Sequence, residues 1–81
     1  MYKITAEHMT EARGAHVVEA ANGQVIYWEQ DETFRGFYTF YCSPEATAQV
    51  VYNIQSLVYE QNGGAYAAVE KLSAAEEAEF E

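Results

Sequence analysis

The segment QVIYWEQDETFRGFYTFY, Gln24 to Tyr41, constrains the fold most strongly, because large apolar or aromatic side chains stand on both parities of a strand alternation with acids at the bend between them. A strand with one dry and one wet face reads as apolar and polar residues in turn. Strands of this composition need cover on both faces of their sheet.

Little chain is left to provide that cover. With 81 residues there is room for a single domain, residues 1–81, and no second core. An apolar fraction of 49% with 15% aromatics separates the chain from disordered acidic sequences. Thirteen acids against four bases leave a net charge of −9, which repels nucleic acid and anionic membrane and favours a basic protein surface. Solubility alone is the plainer explanation of such a charge. Cys42 is the single cysteine, so no intramolecular disulfide forms and a reducing cytosol suits the chain. No leader-like opening and no apolar run near the ~20 residues of a membrane span is visible, pointing to an untargeted intracellular protein.

MYKITAEH alternates with period two and predicts a strand through Tyr2, Ile4 and Ala6. After a polar connection at Gly14, HVVEA predicts a second strand. Asn22 and Gly23 both accept the positive φ of a type I′ turn, so a two-residue hairpin into Gln24 is expected. A second tight bend at Asp31 and Glu32 would set Trp28 opposite Arg35 and Ile26 opposite Phe37, placing Val17, Ile26, Trp28, Phe37 and Tyr41 on one face. His16, Val18, Val25, Tyr27, Glu29, Phe34, Tyr38 and Phe40 would share the other. An odd loop length at that bend would exchange the faces of everything after it.

CSPEATAQVVYNIQSLVYEQNGG predicts a helix with Ser43 as N-cap, Pro44 at the first helical position and Gly63 as the stop. Its apolar stripe is Thr47, Val50, Val51, Ile54, Leu57 and Val58. In the tail, helix-favouring composition predicts a second helix through Ala65–Leu72, with a strand there as the alternative. Ser73 and Glu76 read as a capping box that starts a helix afresh, and residues 74–81 form an acidic end prone to fraying. The expected class is α+β: an antiparallel sheet of about four strands in meander or hairpin order, followed by two helices on one face. The other face would then keep aromatic side chains that a lone chain leaves wet.

Catalytic and metal chemistry find little support. Cys42, Ser43, His8 and His16 supply a nucleophile and a base on paper, but Ser43 is accounted for as a cap and Cys42 as a buried strand end. The two histidines lie too far apart for one helical turn, and DETFRG lacks the ligand spacing of a calcium loop. Adjacent acids such as Glu76 and Glu77 read as solvated surface charge. Gly63 and Gly64 follow a helix instead of opening one, so they make no phosphate cradle. Lys3, Arg13, Arg35 and Lys71 are scattered, which argues against direct nucleic-acid contact. The chain reads as a non-enzyme without cofactor or metal.

What remains is a surface. Seven Tyr and one Trp, several beside Glu19, Glu29, Asp31 and Glu32, make an aromatic area ringed with negative charge, suited to a basic groove that otherwise holds a phosphate backbone. The alternative is a homodimer closed through the aromatic sheet face, as in a small structural or regulatory module of a phage or mobile element.

The NG hairpin within HVVEAANGQVIYWEQ, the strand FRGFYTFY, the helix SPEATAQVVYNIQSL and the Gly-broken step into YAAVEKLS resemble the small phage-encoded anti-CRISPR proteins, in particular a type I effector inhibitor with a four-stranded antiparallel sheet and two helices. The likeness is one of element order over Ala15 to about Ser73. It implies a protein acting in the host bacterial cytoplasm that binds Cas subunits of a type I surveillance (Cascade) complex and blocks target DNA by occupancy, with no catalytic residue. On that reading the contact patch is Tyr27, Glu29, Asp31, Glu32 and Tyr38.

Overall fold

The structure, a computed structural model, describes residues 1–80. In chain order the elements are β1 (Tyr2–Ala6), α1 (Glu11–Ala20), β2 (Val25–Gln30), β3 (Tyr38–Cys42), α2 (Ala48–Gln61), β4 (Ala67–Lys71) and α3 (Ala74–Ala78). The α+β class and the four-stranded antiparallel sheet expected from the sequence are present, with sheet order β2-β3-β1-β4. The order of elements along the chain is different. Since β1 and β2 are each antiparallel to β3, they run parallel with β3 between them, which is the split βαβ arrangement of ferredoxin-like sheets.

HVVEA is therefore helix, not strand. Thr10 caps α1 by accepting from the Arg13 amide at 3.2 Å, and Val17 is fully buried at its centre. The β-branched pair Val17–Val18 suggested a strand; burial against the sheet outweighs that preference. Asn22 and Gly23 do adopt positive φ, 52° and 86°, but they end a helix instead of joining two strands. Gly14, inside α1, has a packing reason: a β-carbon there would collide with the ring of Trp28.

The second tight bend is likewise replaced. Residues 31–37 form a longer loop between Gln30 and Tyr38, closed by the Asp31 amide donating to the Phe37 carbonyl at 2.7 Å. Its odd length, together with a bulge between Val25 and Tyr27, shifts the register so that Trp28 faces Phe40 and Tyr27 faces Tyr41. Trp28 then lies flat on Phe40, with centroids 5.9 Å apart and planes 4° from parallel.

Strand alternation separates the two faces. Ile4, Ala6, Tyr38, Phe40 and Cys42 point into a core completed by Val17 of α1 and Val51, Ile54 and Val58 of α2. Of the stripe predicted on α2, Val50 and the three fully inward residues behave as expected. Thr47 is instead the N-cap, accepting from the Val50 amide at 3.3 Å, whereas Ser43 holds a turn ahead of the helix by accepting from Glu45 at 3.2 Å. Gly63 ends α2 as predicted, and the Gly64 amide reaches back to the Tyr59 carbonyl at 2.7 Å in a Schellman-type closure. Asn62, buried beside it, ties the helix end to β1 and β4 by donating to the carbonyls of Glu7 at 3.0 Å and Tyr66 at 2.6 Å.

The tail resolves in favour of the strand alternative: Ala67–Lys71 pairs with β1 across its whole length. The capping box is present as read, with Ser73 and Glu76 exchanging hydrogen bonds at the start of α3. Helices α1 and α2 share one face of the sheet; α3 turns onto the other. There Lys3 meets Glu76 at 3.1 Å and the N-terminal ammonium meets Glu77 at 2.7 Å. That second face also carries Thr5, Tyr27, Glu29, Thr39, Tyr41, Ala68 and Glu70, in register across the four strands. The aromatic outer face expected from the sequence is reduced to Tyr27 and Tyr41, because the register change moves Trp28, Tyr38 and Phe40 inward together.

Candidate protein-binding site

β2 is an edge strand, and its bulge decides which of its side chains reach solvent. Val25 and Trp28 turn inward, while Ile26 and Tyr27 are 47% and 48% exposed. Tyr27 and Glu29 stand two residues apart on the outer face, so the tyrosine hydroxyl donates to Glu29 Oε2 at 3.2 Å. From the neighbouring strand Tyr41 donates to Glu29 Oε1 at 3.4 Å. One carboxylate is thus held between two phenols. Both phenols are pushed above their ordinary value, Tyr27 chiefly by the negative charge of Glu29 and Tyr41 chiefly by burial with the same charge adding to it.

Phe80, just past α3, completes a cluster of three rings, with its centroid 4.9 Å from Tyr41 and 6.2 Å from Tyr27. Ile26, Tyr27, Glu29, Tyr41, Glu79 and Phe80 line an open groove of about 560 Å³. A second hollow of about 350 Å³ shares Glu29 and continues through Gln30, Asp31, Glu32 and Thr33. Together they form an acidic strip along the sheet edge with aromatic rings at one end.

Of the five residues assigned to the contact patch, four lie on this strip. Tyr27, Glu29, Asp31 and Glu32 are exposed. Asp31 has a further task, since its Oδ1 accepts from the amides of Thr33 at 2.8 Å and Phe34 at 2.9 Å and so shapes the loop. Tyr38 is a correction: it is 5% exposed, on the opposite face, with its ring stacked against Trp28 at 5.9 Å. The assumed two-residue bend put Tyr38 on the face of Tyr27; the actual loop and bulge put Tyr41 there.

Tyr41, Glu79 and Phe80 went unassigned by sequence reasoning. A signal for Phe80 existed, since it is the only large apolar residue after Leu72 and follows a readable capping box. Its landing place depended on the sheet order. Other exposed aromatics, Tyr52 and Tyr59, lie on the solvent side of α2, in the layer away from the strip.

Cys42 is wholly buried and its thiol is pushed up to about 11 by that burial, which leaves no thiolate for nucleophilic work near neutrality. Among the described residues no group of three or more His, Cys, Asp or Glu side chains is placed to hold a metal ion, and no helix is long and apolar enough to cross a membrane. No protein-family model matches the chain, and no curated protein or solved structure matches it significantly.

Proposed function

We propose that the chain is a binding protein that works by occupancy, laying the Glu29–Glu32 strip and its aromatic end into a basic, nucleic-acid-binding groove of another protein. The target implied by the resemblance to type I anti-CRISPR proteins is the DNA-binding surface of a type I surveillance complex. One observation carries the reading: an exposed edge strand presents Tyr27 and a carboxylate fixed by two tyrosine hydroxyls, next to two further exposed acids. A carboxylate held in place offers cationic groups a ready acceptor, much as a phosphate would, and the rings add buried area at little cost in torsional freedom.

The element order on which that resemblance was drawn contains a strand at HVVEA, where this chain has α1. The reading therefore leans on the charge and shape of the strip, with the named target following from the likeness alone. The homodimer alternative has a smaller aromatic sheet face to use, since Tyr38 and Phe40 are buried within one copy while Tyr27 and Tyr41 remain outside.

Capture of a purified type I effector on the immobilised chain, followed by a gel shift with target DNA, tests the proposal. The expected result is an effector that is retained and no longer shifts DNA. An effector that passes through at low salt, with its DNA binding intact, overturns the named target.

A further inference from the structure

We propose that the groove beside Tyr27, Tyr41 and Phe80 receives a guanidinium group, the arginine side chain of a basic partner protein, with Glu29 as its paired acceptor. The inference rests on the reading of the strip as a docking surface and names the chemical group that anchors it. Each oxygen of Glu29 already accepts one tyrosine hydroxyl, Oε2 from Tyr27 and Oε1 from Tyr41. A carboxylate oxygen has two acceptor positions, so each keeps one free, and two free positions on one carboxylate match the fork of a guanidinium. Because the hydroxyls hold the carboxylate in one orientation, less freedom is lost when the fork arrives.

The rings favour the same ligand. Tyr27, Tyr41 and Phe80 lie with centroids 4.9–6.2 Å apart and mutually tilted, and their cluster borders the groove. A planar guanidinium stacks on such surfaces and sheds its water more readily than a compact ammonium. Glu79 adds a second carboxylate to the lining, and no base is among the lining residues. Lys3, cross-strand from Tyr41, has its ammonium engaged by Glu76 at 3.1 Å and Glu70 at 3.8 Å. The groove is therefore anionic and aromatic without a cation of its own, within a chain of net charge −9.

The test is titration of the full chain with a capped triarginine peptide, followed by amide NMR, with a capped trilysine peptide as comparison. Triarginine is expected to shift residues 26–29, 41 and 79–80 first and to bind at least ~3-fold tighter than trilysine. Glu29→Gln is expected to weaken triarginine ~10-fold, as the loss of one charge-assisted paired contact, with Glu79→Gln a smaller loss and Glu60→Gln, on the solvent side of α2, none. Phe80→Ala reports the ring contribution; should it release α3, the Glu29 and Glu79 variants still decide the matter. Shifts spread evenly over the acidic surface, or equal losses in the Glu29 and Glu60 variants, overturn the assignment. If triarginine ignores the groove while the chain still blocks DNA binding by an effector, the anchor is wrong and the docking reading stands; if the effector is also ignored, the docking reading fails with it.

Discussion

At the scale of single residues, Gly14 and Cys42 show how packing overrides local preference. Replacing a mid-helix glycine by alanine ordinarily gains ~1 kcal/mol. At Gly14 the added methyl meets the Trp28 ring, so Gly14→Ala is expected to lose ~1–3 kcal/mol through overpacking. Urea denaturation followed by Trp28 fluorescence measures it, and a raised midpoint would contradict the packing of the Trp28 ring against α1. Burial disfavours the Cys42 thiolate and pushes the thiol up to about 11. A thiol reagent at pH 8 is expected to leave the folded chain unmodified and to label it rapidly in denaturant; equal rates would place Cys42 at the surface. The burial of Cys42 and the positive φ of Asn22 and Gly23 were legible in the sequence. The use of those dihedrals was not, because a left-handed pair ends a helix and turns a hairpin with the same backbone angles.

At the scale of elements, the strands β1 and β3, the body of α2 and the start of α3 follow from periodicity and capping residues. α1 and β4 do not. In α1 the glycine and two valines that serve the Trp28 contact and the core are the residues that weaken a helical reading; in β4 Ala67 packs into the core and Ala68 lies on the outer face, while the pair suggests a helix. The acidic strip was partly legible for a related reason: Tyr27 and Glu29 lie on one strand and stay together in any register, whereas Tyr38 changes face with loop length. The docking of α3 makes its own prediction. Glu76 is held below its ordinary carboxylate value of 4.5, first by the Ser73 amide and then by Lys3, and Lys3 is raised above 10.5 first by its hydrogen bond to Glu76. The carboxylate contribution is in place above the ordinary value and is lost as pH falls through the lowered one; that of Lys3 is in place below 10.5 and is lost as pH rises beyond it. Protection factors at residues 74–80, taken against the intrinsic exchange rate at each pH, are thus expected to fall in acid, and in Glu76→Gln at neutral pH, while the β1 and β3 amides stay protected. Unchanged protection in that variant would show that the Lys3–Glu76 contact does not hold the helix.

At the scale of the whole molecule, one core between the sheet and α1/α2 accounts for the inward aromatics, and the outward face is polar apart from the Tyr27, Tyr41 and Phe80 cluster that α3 partly covers. With −9 of net charge, long-range attraction to a basic surface is built into the chain, and on the proposed reading the strip is where such a surface would dock. Displacement of labelled target DNA from a type I effector, followed by fluorescence anisotropy, compares the wild-type chain with Glu29→Lys/Glu32→Lys, which leaves the loop-shaping Asp31 in place. We expect the wild-type chain to release the DNA, less effectively as salt rises, and the double reversal to need at least ~10-fold more protein. DNA released equally well by both chains, or by neither, would contradict the strip as the docking surface.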